Sequence, residues 1–198
     1  MSQALRPVIE IAPGLTEEAV TIASGDTTLC GNLIVPSQPS GVSVLFSHGW
    51  SGNRSGPHDL ITNVARELAT HGHTSLRFDF RGRGESGGEG LETSLTTMAD
   101  DLCAAAGYIS QRCPTGKLVV LGICSGGNVA VGSLPRLPGV AGLVLLSVYP
   151  FSDGDAFSRD VHRTWHFARQ YWRKALCGET WKRLFHGDIR ILQVLNVL

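Results

Sequence analysis

The chain has 198 residues, enough for one domain with a sizeable buried core and short for two. Lysine plus arginine (17) equals aspartate plus glutamate (17), so no overall field points to nucleic acid or to acidic partners. The five cysteines, at 30, 103, 113, 124 and 177, are scattered without a Cys-x-x-Cys pair, which argues against a disulfide framework or a cysteine metal site and for a reducing, cytoplasmic setting.

Met1 to Gly14 lacks the apolar core of a signal peptide, and no run approaches the roughly 18 apolar residues of a membrane span. Ala19–Ser24 and Leu29–Val35, split by Gly25-Asp26, predict a two-stranded hairpin. Val42–Ser47 is a short apolar run entering His48-Gly49, as a buried strand does. Pro57 stands at a first helical position; the stripe Leu60, Ile61, Val64, Leu68 follows, and Gly72 closes the helix. Thr74–Phe80 predicts a strand, and Ser94–Arg112 a helix with Met98, Leu102, Ala105, Ala106 and Ile109 inward, stopped before Pro114.

Leu118–Gly122 predicts a strand breaking sharply into Cys124-Ser125-Gly126-Gly127, with a short helix to about Leu134. Val140–Val148 is the most apolar strand. Strands alternating with helices, in near-continuous apolar runs, predict a mostly parallel sheet covered on both faces. After Pro150 the character changes. Phe157, Val161, Trp165, Ala168, Trp172 and Ala175 share one helical stripe, and the stretch from Ala156 to Arg190 carries a net charge of about +5. The expected division is a core over 1–150, a helical cap over 151–190 and a tail over 191–198.

The strongest chemical signal is Gly122-Ile123-Cys124-Ser125-Gly126-Gly127 between a strand and a helix. A nucleophile elbow turns so tightly that the positions two before and two after its centre carry almost no side chain. Centred on Cys124, those positions are Gly122 and Gly126; centred on Ser125, Ile123 stands where glycine is wanted. The steric rule selects the thiol, and a helix N-terminus there favours the thiolate. The plainer reading is a glycine-rich turn with a buried cysteine.

A second signal is His48-Gly49-Trp50-Ser51-Gly52 after a strand, about 75 residues before the elbow. Acyl transfer needs two preorganised donors for the developing oxyanion, and the backbone N–H groups of Trp50 and Ser125 are the two candidates. His48, Gly49, Trp165 and Trp172 are candidate substrate-contacting residues. No metal or organic cofactor is implied.

Together with Asp79-Phe80-Arg81-Gly82-Arg83-Gly84-Glu85-Ser86, these residues resemble the α/β-hydrolase family, in particular its serine aminopeptidase-like group, over about residues 16–150. The resemblance implies an α/β-hydrolase sheet, with about six of eight strands in this chain and a helical cap after Val140–Val148. It implies hydrolysis of an ester, thioester or peptide-like acyl substrate, and Asp79 and Arg81 as structural residues pairing to fix nearby loops. Two departures stand out. Cysteine replaces the usual serine, as in dienelactone-hydrolase-like relatives, so the intermediate is a thioester.

The second departure concerns the family order of nucleophile, acid, histidine, because the 48 residues after Pro150 leave little room beyond the cap. Asp153 and Asp155 stand where some members carry the acid, and equally where a helix cap belongs. His162 and His166 lie on or beside the cap stripe. His186-Gly187-Asp188 imitates a family motif behind a run-in too charged for a buried strand. The chain therefore reads as C-terminally truncated, with weak or no turnover alone. An apolar strand edge at Val140–Val148 would then invite self-association. An acyltransferase working through a Cys124 thioester, or a non-catalytic binding module, are the alternatives.

Overall fold

The computed structural model describes residues 8–148 apart from 91, 92, 115 and 138. They fall in the compact unit Met1–Pro150. The expected cap over 151–190 and tail over 191–198 lie outside the described residues.

Seven strands form one sheet: β1 (Val8–Ala12), β2 (Leu15–Ser24), β3 (Thr27–Pro36), β4 (Val42–Ser47), β5 (Thr74–Phe78), β6 (Lys117–Ile123) and β7 (Val140–Leu146). Their order is β1-β2-β3-β5-β4-β6-β7. The first three strands join antiparallel, β3 meets β5 antiparallel, and β5-β4-β6-β7 run parallel. The mostly parallel sheet of the sequence reading is thus confined to the half that carries the site.

Side chains alternate across the pleat, and over β4, β5 and β6 both faces are covered, which explains the continuous apolar runs there. On one face Ile34, Val44, Phe46 and Leu121 pack with Ile61, Ala65 and Ala69 of α1 (Leu60–Thr70). On the other, Leu33, Leu45, Leu76 and Val120 pack with Met98, Leu102, Ala105 and Ile109 of α2 (Leu95–Arg112) and with Val129 and Ala130 of α3 (Ser125–Ser133). The five inward residues expected for α2 are all buried. Ser94 caps α2 by accepting from the Thr97 N–H at 3.1 Å, while the Thr97 hydroxyl reaches back to the Ser94 N–H.

Three details differ from expectation. β1 lies where the sequence carries no strand signal; it pairs with β2 across the Pro13-Gly14 turn. β2 begins at Leu15 rather than Ala19, because Glu17 points inward and is neutralised by Arg77 and Arg66. Pro57 opens a 3₁₀ turn instead of α1, since His58 and Asp59 take left-handed φ of 50° and 57°; Leu60 is exposed. Among the described residues β7 stands at one edge of the sheet and β1 at the other, and Val144, Leu145 and Leu146 of β7 are exposed.

Candidate active site

Parallel pairing of β4 with β6 sets Ser47 beside Gly122, so the two chains leave the sheet side by side. The segment after β4 is His48-Gly49-Trp50, and the segment after β6 is Cys124-Ser125. Two signals 75 residues apart therefore meet at one end of the sheet. Gly49 lies against the elbow: a Cβ built there would stand 3.4 Å from Cys124 Cβ and 3.8 Å from Ser125 Oγ.

Cys124 joins β6 to α3 with φ 54° and ψ −126°, a conformation a non-glycine residue adopts only under constraint. Its own N–H donates to Leu146 O at 2.8 Å, and its carbonyl accepts from the Gly127 N–H at 3.0 Å. The turn puts the thiol at the surface, since Cys124 is exposed. The bracketing glycines meet the steric demand directly. A Cβ on Gly126 would overlap the carbonyl oxygens of Ser47 and His48. One on Gly122 would lie 2.8 Å from Gly127 N and 3.0 Å from Gly126 O. The plain alternative, a buried structural cysteine, does not describe this residue.

Trp50 is held at both ends of its backbone. Its N–H donates to Ser125 Oγ at 2.6 Å, and its carbonyl accepts from Arg83 Nε at 2.7 Å. The Arg83 guanidinium also lies 5.7 Å from the centre of the indole ring. Neither contact was legible in the sequence, since each joins residues 33 or 75 positions apart.

His48 turns inward, away from the role of substrate contact. The side chain is 2% exposed and its ring stands edge-on to Phe80 at 4.8 Å. Nε2 accepts from the Phe80 N–H at 3.2 Å, which assigns the proton to Nδ1, donated to Gly49 O at 2.8 Å. Both ring nitrogens are spent on holding backbone. Burial pushes the imidazole pKa below its ordinary value, against the Gly49 hydrogen bond and the Asp79 charge, which raise it; Arg83 lowers it further.

Below about pH 6.5 an unfolded chain protonates this histidine while the folded chain resists. The stability tied to neutral His48 is fully present above that pH and drains away as pH falls towards the depressed folded value. NMR of the ring nitrogens is expected to show the Nδ1–H tautomer persisting as pH drops through 6.5; a midpoint at or above 6.5 would refute this.

Asp79 and Arg81 do not pair with each other. Fully buried Asp79 accepts from the Arg54 N–H at 2.6 Å and the Glu85 N–H at 3.1 Å, and forms an ion pair with Arg54 Nη1. Arg81 instead pairs with buried Asp101 on α2 at 2.8 Å. The first arrangement pins the end of the Trp50 loop. The second ties the Arg-Gly turn to the helix layer.

Asp153, Asp155, Trp165, Trp172, His162, His166 and His186 lie outside the described residues. Among the described residues there is no cluster of three or more metal-ligating side chains, and no helix long and apolar enough to cross a membrane. An open groove of about 560 Å³ sits at the opposite end of the sheet, lined by residues such as Gly14, Pro36, Gln38 and His71; its walls hold neither a carboxylate nor a cysteine side chain.

A model of the serine aminopeptidase, S33, family matches residues 39–174. Among solved structures, the chain is similar to a dienelactone hydrolase from Anabaena variabilis. That likeness has 27% identity and a TM-score of 0.58, over 67% of this chain and 63% of that one. It is also similar to an esterase from Pyrococcus furiosus, at 28% identity and a TM-score of 0.56 over 64% of this chain and 47% of that one. An α/β serine hydrolase without lid from Xanthomonas campestris shares the fold at 24% identity and a TM-score of 0.59, over 75% of this chain and 68% of that one. The chain thus spans between about half and two-thirds of the length of the first two.

Proposed function

Because the chain belongs to the serine aminopeptidase S33 family, matched over residues 39–174, we propose that it is an acyl hydrolase with Cys124 as nucleophile. The observation that carries this reading is the exposed Cys124 at φ 54° on a strand–helix elbow, with the Gly49-Trp50 segment packed against it. The substrate is an ester, thioester or peptide-like acyl compound.

The Cys124 thiolate attacks the acyl carbon and the carbonyl π pair moves onto oxygen. That oxyanion takes hydrogen bonds from the backbone N–H groups of Trp50 and Ser125. Collapse expels the leaving group and leaves an acyl thioester on Cys124. Attack of water on the thioester then releases the acid and regenerates the thiol. The proton acceptor for these steps is not His48, whose two ring nitrogens are engaged by backbone. Asp153 is the candidate acid and Trp165 and Trp172 are candidate substrate contacts, all three outside the described residues.

Mixing the chain with p-nitrophenyl acetate is expected to release about one equivalent of nitrophenolate per chain, followed by much slower turnover. Cys124→Ala is expected to abolish the first phase. An undiminished first phase in that variant would remove the proposal. Recovery of an amide when an amine is supplied, in place of free acid, would reassign the second half of the reaction to acyl transfer.

A further inference from the structure

The Trp50 N–H is a donor in the proposed reaction, yet it is already satisfied by Ser125 Oγ at 2.6 Å. We propose that the Ser125 hydroxyl is an internal stand-in for the oxyanion, occupying the Trp50 donor until negative charge develops on the substrate. The inference rests on the reading of Cys124 as nucleophile.

Three features place this hydroxyl where the substrate oxygen belongs. Ser125 directly follows Cys124, so its side chain and its own N–H leave the same turn. Gly49 adjoins both groups: a Cβ built there would stand at van der Waals distance from Cys124 Cβ and Ser125 Oγ, 3.4 and 3.8 Å. The Gly49 carbonyl of the same peptide accepts from His48 Nδ1 at 2.8 Å and from the Gly52 N–H at 2.9 Å, so the peptide that carries the donor is fixed and the hydroxyl is the part free to rotate.

The chemical consequence comes from hydrogen-bond strength. A neutral ester carbonyl and a serine hydroxyl are acceptors of the same class, so a bound ester gains little by displacing Ser125. A tetrahedral oxyanion is charged, and its hydrogen bonds are roughly twice as strong. Displacement becomes favourable only as charge appears, which withholds this donor from the ground state and spends it on the transition state.

Ser125→Ala separates the two states. With the hydroxyl gone, the donor is open to the neutral carbonyl, so ester binding tightens. The transition state no longer carries the displacement cost either, so the second-order acylation constant rises with the tighter binding. Stopped-flow release of nitrophenolate from p-nitrophenyl acetate reads both. The half-saturating ester concentration is expected to fall about fivefold, one ordinary net hydrogen bond, and the second-order acylation constant to rise by a similar factor. Ser125→Thr, which restores a hydroxyl on the same carbon, is expected to return the half-saturating concentration towards the unsubstituted value.

A fall in the second-order acylation constant in Ser125→Ala would overturn the inference, because it would make the hydroxyl a donor to the oxyanion. An unchanged half-saturating concentration in a variant with native circular dichroism would overturn it as well. Failure of Cys124 to acylate in the unsubstituted chain is a different outcome; it removes the nucleophile reading itself.

Discussion

Gly126→Ala is expected to destabilise the domain by on the order of 4 kcal/mol or more, so that little folded protein accumulates. A Cβ at this position would overlap the carbonyl oxygens of Ser47 and His48 and lie 2.7 Å from His48 C. All three are backbone atoms of the neighbouring strand end, fixed by the pairing of Ser47 with Gly122 and by the bond from Ser47 Oγ to Gly126 O at 2.9 Å. No side-chain rotation relieves such a contact, so either α3 lifts from the sheet or β4 leaves its register.

Gly132 supplies the control on the same helix. A Cβ there meets nothing within 4 Å, and the position is exposed. Gly132→Ala is expected to stabilise by up to about 1 kcal/mol through helix propensity alone. Urea unfolding of the two variants measures the contrast. Equal effects would show that the close approach at the elbow is not what demands glycine.

Arg54→Met is expected to cost about 3–5 kcal/mol, because it strands a carboxylate that has no access to water. The Asp79 side chain is 0% exposed and, among the described residues, retains only the N–H donors of Arg54 and Glu85 once the guanidinium is gone. The same guanidinium donates to Asn32 Oδ1 at 2.7 Å and contacts Glu85, so one side chain ties β3, the Trp50 loop and the turn after β5.

Removing both charges in Arg54→Met with Asp79→Asn is expected to cost less than the two single variants added together. Strict additivity would mean that the pair does not act as one unit. Loss of this tie also frees the end of the segment that presents the Trp50 N–H, so a drop in the acylation rate is expected alongside the loss of stability.

What the sequence made legible was local. The elbow could be read at Cys124 because its steric rule spans five consecutive residues. Strands β4, β5, β6 and β7 and helix α2 could be read because burial on both faces writes continuous apolar runs or a clear stripe. The pairing of the two signals was legible as order along the chain, and parallel registry of β4 with β6 turns that order into contact.

What escaped depends on partners far away in the chain. Glu17 reads as a solvent-facing residue until Arg77 and Arg66 are beside it, and that hides the start of β2. Asp79 reads as a partner for Arg81, two residues on, whereas its ion pair is with Arg54, 25 positions earlier. The direction of the His48 ring is set by Phe80, and the Ser125 hydroxyl by Trp50; nothing in either residue's neighbours along the chain announces it.

The central claim is that the elbow presents Cys124 as the residue that takes the acyl group. The most direct test is peptide mapping after brief exposure to a limiting amount of p-nitrophenyl acetate at neutral pH. The predicted result is a single acetyl group on Cys124, released by neutral hydroxylamine as a thioester is. Acetylation spread evenly over Cys30, Cys103 and Cys113, or an acetyl group on Ser125 with Cys124 untouched, would contradict it.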